Sequence, residues 1–194
     1  MAVSADAQIL HDLLKYKERF NYSVFVETGT SNGQSTRIFS NYFDKTYTCD
    51  NSDLEGEFRE ATLNAGKNIT FMFGNSTDCL PIFFNEIGHS NFYLFLDAHG
   101  TSWPILDELQ IVADFGYKPF IFIHDFDCGH EGWKFDCWGP NDFVHLDYEY
   151  VKPKMDLIYG EGNYGYDVSQ ECLNPPDGNG EPNLRGCGFF YPLK

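Results

Sequence analysis

At 194 residues and 22.3 kDa the chain is long enough for one ordinary domain of mixed helix and strand, and too short for two full ones. Lys and Arg number 13 against 29 Asp and Glu, a formal charge of −16, which excludes a phosphate-tracking nucleic-acid binder and a polybasic membrane-surface protein because each needs a positive field. With 42% apolar and 18% aromatic residues, the chain has the material for a compact core and is not an acidic disordered tail.

The amino terminus, MAVSADAQILHDLLKYKERF, has no basic start followed by an apolar run. No later stretch approaches the ~18 apolar residues that a membrane span needs. Neither export nor insertion is expected, and the protein is expected to be cytoplasmic. Ile9, Leu10, Leu13, Leu14 and Phe20 recur at helical spacing behind Ser4, a cap residue, so residues 1–21 read as an amphipathic helix.

Five short apolar runs follow: Ser23 to Glu27, Thr46 to Asp50, Ile69 to Phe73, Phe92 to Asp97 and Phe120 to Asp125. Rich in Val, Ile, Phe and Tyr and without a polar alternate face, they suit strands buried on both sides. Between them Thr36 to Phe43, Leu54 to Ala65, Asp78 to Ile87 and Ile105 to Phe115 have the length and spacing of crossover helices. The alternation predicts an α/β fold with a parallel sheet.

After Asp125 the segment DCGHEGWKFDCWGPND is dense in Gly, Cys, Trp and acid, and 126–140 reads as a loop or lid. A short helix is expected from Asn141 to Tyr150. Residues 151–194 are expected to be a strand pair, Met155 to Tyr159 and Gly188 to Tyr191, joined by the polar Gly/Pro-rich stretch from Gly160 to Gly186. Six cysteines show no CxxC spacing, so reduced thiols are the default. A bridge from Cys172 to Cys187, and a partial metal site of Cys128, His130 and Cys137, are the alternatives.

In an open parallel sheet, ligands collect beyond the carboxyl ends of the strands, where the strand order reverses. The first such end here is VFVETGTSNGQST, whose Gly29 and Gly33 let the backbone turn sharply and approach a ligand; a tight strand-to-helix turn with no ligand explains the same glycines. Asp50, about twenty residues on, is placed to hold ribose hydroxyls. Asn75 and Ser76 of GNSTDCL can bond a purine edge while Asp78 caps the next helix. The fourth and fifth strands end at Asp97 in LFLDAHG and Asp125 in FIFIHDF. Strand alternation sends His124 to the face opposite Asp125, which favours a structural role for that histidine over the alternative, second to His99, of a proton-accepting base.

From Glu27 to Asp125 the chain resembles the class I S-adenosylmethionine-dependent methyltransferases, with ETGTSNG as the cofactor loop, GNS as the adenine segment and LDAHG facing the methyl group. LDAHG followed by a helix and IHDF is most similar to small-molecule O-methyltransferases of the macrocin and catechol type and to the cephalosporin-hydroxylase group. The resemblance implies a Rossmann-like doubly wound sheet of about seven strands over 1–194, helices on both faces, mostly parallel with an antiparallel last strand; RGCGFFYP matches that strand loosely. It implies S-adenosylmethionine as cofactor, held by Glu27, Thr28, Gly29, Thr30, Gly33, Asp50, Asn51, Asn75, Ser76 and Asp97, with Glu27 near the methionine amino group. Asp97 and His99 are implied as the catalytic pair, His99 as base. Asp97 and Asp125 are implied as holders of a Mg²⁺ ion, although Phe126 stands where metal-dependent relatives carry a second metal-binding residue. Thr28 and Ser31 replace glycines that many relatives carry.

The partner implied is a small-molecule acceptor, neutral or cationic given the charge, under a lid that includes His130, Trp133, Cys137 and Trp138; no nucleic acid and no membrane are expected, and a homo-oligomer is left open. Two alternatives stand beside O-methyl transfer. One is a different enzyme on the scaffold: a hydroxylase-like protein, or a dinucleotide oxidoreductase, which the absence of GxGxxG disfavours. The other is a nucleoside-binding domain without catalysis.

Overall fold

The computed structural model describes residues 7–52, 59–60, 63–64, 68–89, 91–98, 104–138, 143–173 and 183–193. After helix α1 (Ala7–Phe20), strand β1 (Val24–Thr28) leads through α2 (Gln34–Phe39) to β2 (Lys45–Asp50) and on to β3 (Ile69–Phe73). Helix α3 (Ser76–Ile87) connects to β4 (Phe92–Leu96), and α4 (Ile105–Asp114) to β5 (Phe120–His124). The remainder is β6 (Cys137–Trp138), β7 (Val144–His145), α5 (Tyr148–Tyr159), β8 (Tyr164–Leu173) and β9 (Asn183–Pro192).

Seven strands form one sheet in the order β3-β2-β1-β4-β5-β9-β8, with β6 and β7 paired separately. The first five strands are parallel; β9 is antiparallel to both β5 and β8, so it alone runs against the rest. The expected seven-stranded sheet with an antiparallel last strand is what the chain forms.

Side chains of successive strand residues point to opposite faces, and both faces here are covered. Phe25, Tyr93, Phe95, Phe120, Phe122 and Phe189 face one layer, which Ile9 and Leu13 of α1 close together with Phe39 and Phe43. Val26, Leu94, Leu96, Ile121, Ile123 and Phe190 face the other, beneath α3, α4 and α5. This is why the runs of β1, β4 and β5 lack a polar alternate; β3, expected to be buried on both sides, is instead the half-exposed edge strand, with Phe73 59% exposed. Phe95 and Phe122 stack at the centre, centroids 4.5 Å apart.

The carboxyl-terminal elements differ from the sequence expectation. Met155 to Tyr159 is not a strand but the last part of α5, which buries Val151, Met155, Ile158 and Tyr159 at helical spacing. Five apolar-rich residues are too few to separate a period of 3.6 from a buried strand. The strand lies instead in Tyr164–Leu173, within the stretch read as a connector. The helix expected from Asn141 starts only at Tyr148, where the Asp147 carboxylate accepts from the Tyr150 N–H at 2.8 Å. Val144 and His145 pair with β6 before it.

Ser4 lies outside the described residues, as does most of Leu54 to Ala65, of which 59–60 and 63–64 are helical. In the β8–β9 ladder Cys172 stands opposite Leu184 and Cys187 opposite Ser169. These backbone positions are three ladder steps of ~3.4 Å apart, more than the Cα separation of under ~7 Å that a disulfide spans; the Cys172 side chain lies outside the described residues. No helix among the described residues is long and apolar enough to cross a membrane.

Phe122 is wholly buried between the Phe95 stack and the rings of Phe25, Phe39 and Phe189. Phe122→Ala is expected to lower unfolding free energy by about 3–5 kcal/mol, read from urea denaturation; a loss below ~1 kcal/mol would mean that the aromatic layer does not support the sheet.

Candidate functional site

The sheet's order reverses between β1 and β4, so the exits of these two strands form the crevice where open sheets place ligands. Gly29 leaves β1 at φ +84°, and a Cβ there would stand 2.2 Å from the Asp97 carbonyl oxygen. Only glycine permits this approach. The Asp97 N–H in turn donates to the Thr28 carbonyl at 3.1 Å. Gly33, also left-handed at φ 77°, opens α2, and between the glycines Ser31 takes the same region at φ 47° without being one.

Beneath this turn lies Glu27, with no exposed surface. Its carboxylate accepts from Ser35 Oγ at 2.9 Å, Thr48 Oγ1 at 2.7 Å and Thr36 Oγ1. Thr30 Oγ1 is 2.6 Å from Thr48 Oγ1, extending the network into the turn. Burial pushes the Glu27 carboxyl up from 4.5 to about 7; the three hydroxyls oppose the shift and the charge of Asp97 adds to it. The residue expected beside a ligand's amino group is thus tied to the underside of the loop.

At the end of β2, Asp50 accepts from the Ser31 N–H at 2.5 Å and the Ser52 N–H at 2.6 Å. Arg59 lies 3.8 Å from it, donates to the Ser52 carbonyl at 2.7 Å and covers the Phe71 ring at 4.8 Å. Arg59 was not singled out from sequence, where its one signal is to be the single basic residue among Glu55, Glu57 and Glu60. Asn51 Nδ2 donates to Asn75 Oδ1 at 2.9 Å, joining the tips of β2 and β3, and Ser76 begins α3, buried. Asp50, Asn51 and Asn75 therefore line one edge with the glycine turn.

Across the crevice, Asp97, His124 and Asp125 come together, with one ligating atom of each inside 4.8 Å of the others. His124 Nδ1 is 3.0 Å from Asp97 Oδ1 and 3.3 Å from Asp125 Oδ2. The expectation that His124 faces away from Asp125 is corrected. Asp125 leaves the strand in the left-handed region at φ 52°, and this turn breaks the alternation that the expectation rested on. Burial opposes charge on His124, but the carboxylates of Asp97 and Asp125 prevail and hold its pKa well above the usual value.

Arg185 Nη1 donates to Asp125 Oδ1 from β9. It was not foreseen; its signal is the RGCG that opens the strand's buried part. A Cβ on Gly186 would stand 2.2 Å from the Phe126 carbonyl oxygen, and one on Gly188 would meet the Phe126 ring at 3.0 Å. The two glycines let the turn after β5 lie on β9, which brings Arg185 to Asp125.

This donor set does not fit Mg²⁺. That ion takes a near-octahedral shell of oxygens, whereas an imidazole stands between these two carboxylates and a guanidinium is bonded to one of them. Among the described residues Cys128, His130 and Cys137 do not gather as a second metal group.

Within the expected lid, 126–138 is stitched down by backbone bonds. Phe126 N–H donates to Gly186 O at 3.0 Å, Lys134 N–H to Leu184 O at 2.8 Å, Asp127 N–H to Leu146 O at 2.8 Å and Asp136 N–H to Asp125 O at 2.8 Å. Trp138 packs on Tyr150 and Trp133 on His130. These bonds hold the segment against β9, Leu146 and Asp125. His99, the expected base, lies outside the described residues.

No protein-family model matches the chain, and no curated protein sequence does. Solved structures do resemble it. A candidate O-methyltransferase of Klebsiella pneumoniae superposes with a TM-score of 0.64 at 13% identity, over 100% of this chain and 84% of that one. TomG of Streptomyces achromogenes, an O-methyltransferase of tomaymycin synthesis solved with S-adenosylmethionine, gives 0.62 at 14% identity over 98% and 82%. An O-methyltransferase of Bacillus cereus in complex with S-adenosylhomocysteine gives 0.58 at 14% identity over 97% and 83%. At these identities the likeness is one of architecture: the chain has the class I methyltransferase fold.

Glu27 gives the site a pH signature. Between pH 4.5 and about 7 the folded state keeps a proton that the unfolded chain has lost, so this group lowers stability as pH rises through that window. Glu27→Gln removes the dependence. Relative to the parent, the variant is expected to gain ~3 kcal/mol between pH 4.5 and pH 8 in urea denaturation; an unchanged difference at the two pH values would contradict the burial argument.

Proposed function

We propose that the chain is an S-adenosylmethionine-dependent methyltransferase that methylates a hydroxyl group of a small molecule. The observation that carries this reading is the meeting, at the reversal of strand order, of the Gly29 turn with Asp97 on one side and Asp50 on the other. The fold shared with O-methyltransferases supports it.

When bound, S-adenosylmethionine supplies a methyl group on a sulfonium, open to direct displacement. The chain's work is then alignment and proton removal. Thr28, Gly29, Thr30 and Gly33 shape the turn against which the methionine part lies, and Glu27 holds that turn through Ser35, Thr36 and Thr48. Asp50, kept in place by the Ser31 and Ser52 N–H groups, accepts from the ribose hydroxyls. Asn51, Asn75 and Ser76 meet the purine edge. Asp97 borders the reacting carbon.

His99 is the proposed acceptor of the hydroxyl proton, two residues beyond Asp97. His124 is not, because it is buried and the carboxylates of Asp97 and Asp125 hold its pKa well above the usual value, so the imidazole already carries its proton. The net charge of −16 favours a neutral or cationic acceptor. A reducing, cytoplasmic setting belongs to the proposal, since Cys49 and Cys79 are both buried as thiols.

Titration calorimetry is expected to detect S-adenosylmethionine binding, and Asp50→Ala to weaken it by about 1–3 kcal/mol, roughly 5- to 150-fold. Absence of binding to the parent chain would end the proposal. Mass spectrometry of incubations with hydroxylated acceptors is expected to show S-adenosylhomocysteine and a methylated product; cofactor binding without turnover on any acceptor would favour a nucleoside-binding role. His99→Ala is expected to reduce kcat about 100-fold with cofactor affinity intact; an unchanged kcat would remove His99 as base.

A further inference from the structure

We propose that Arg185 is the fixed cation of the Asp97–His124–Asp125 cluster, standing in the place a divalent ion would take on Asp125, so that the cluster needs no metal. The inference concerns the cluster itself and is independent of whether the protein transfers methyl groups.

The Asp125 side chain is 5% exposed, and Arg185 Nη1 is bonded to its Oδ1. Its Oδ2 faces His124 Nδ1 at 3.3 Å. Both carboxylate oxygens are therefore turned toward nitrogen groups of the chain. A dication sharing this 5% exposed carboxylate would be brought against the guanidinium of Arg185, itself 26% exposed, where repulsion between like charges is only partly screened. A guanidinium does not lose its proton in a protein, so the conflict cannot be relieved by deprotonation as it could at a lysine.

The position of Arg185 is built rather than incidental. On one side its neighbour Leu184 accepts from the Lys134 N–H at 2.8 Å, and on the other Gly186 accepts from the Phe126 N–H at 3.0 Å. Gly186 can lie there because it has no Cβ, which would overlap both the Phe126 carbonyl oxygen at 2.2 Å and Cys128 Sγ at 2.4 Å. The backbone of β9 is thereby clamped to the segment that begins with Asp125, and Arg185 is delivered to the carboxylate by that clamp.

The test needs no cofactor, so its outcome is separate from that of the methyl-transfer reading. Mn²⁺ is titrated into the full chain and free Mn²⁺ is followed by electron paramagnetic resonance, with Mg²⁺ in calorimetry alongside. The parent chain is expected to show no saturable site up to 1 mM metal. Arg185→Gln is expected to acquire one site at least tenfold tighter than that limit, which Asp125→Asn in the same background abolishes. A saturable site in the parent chain that Asp125→Asn removes overturns the proposal, as does an Arg185→Gln chain, folded by circular dichroism, that gains none. Should the glutamine variant not fold, Arg185→Met replaces it with the same two outcomes.

Discussion

The contact on which the site depends is the one between the backbones of Gly29 and Asp97. In a parallel sheet whose order reverses between β1 and β4, the two exits pass each other at close range, and the Asp97 carbonyl occupies the space where a side chain at position 29 would begin. The Thr28 carbonyl closes the contact by accepting from Asp97 N–H. The other candidate groups are strung outward from this point. Ser31, two residues after Gly29, anchors Asp50, and Asp50's neighbour Asn51 anchors Asn75. On the other side Asp97 faces His124, and Asp125 holds Arg185.

Buried acids on the two sides of that contact are treated differently. Glu27 is surrounded by hydroxyls, which bond a carboxylate without neutralising it, and its carboxyl is correspondingly harder to ionise. Asp97 and Asp125 lie with an imidazole and a guanidinium. The first arrangement suits a loop support that never meets solvent, whereas the second gathers buried charge at the ends of β4 and β5. Pairing of this kind stabilises less through the pair itself than through the large cost of leaving either partner alone. It therefore specifies geometry, locking β4, β5 and β9 in one relative position.

A fold of this type hosts many activities, so the functional reading rests on the edge rather than on the architecture. The glycine turn, Asp50 and the Asn51–Asn75 pair form a continuous polar edge, along which the proposed reading lays the amino-acid, ribose and base parts of one nucleoside ligand in order. The segment 126–138 stands next to Asp125, tied by backbone bonds to β9 and to Leu146.

The runs of β1, β4 and β5 were legible because burial on both faces leaves a continuous apolar signal; the edge strand β3 gave the same signal while half-exposed. The glycine turn, Asp50 and Asp97 were legible for a related reason: strand ends follow from strands, and polar residues at consecutive ends stand out. The period of Met155 to Tyr159 was not, because five residues do not span two helical turns. Nor was the side on which His124 falls, since the left-handed turn at Asp125 is held by the bonds of its neighbour Phe126 and of its own carbonyl to remote segments. Arg185 is sixty residues from Asp125 in sequence and meets it only through the register of β9 on β5, which sets Cys187 opposite His124. Local pattern determined the five parallel strands and which acids stand at their tips; tertiary contact alone decided which cation reaches which acid, because register and close backbone approach are properties of paired segments and not of either segment by itself.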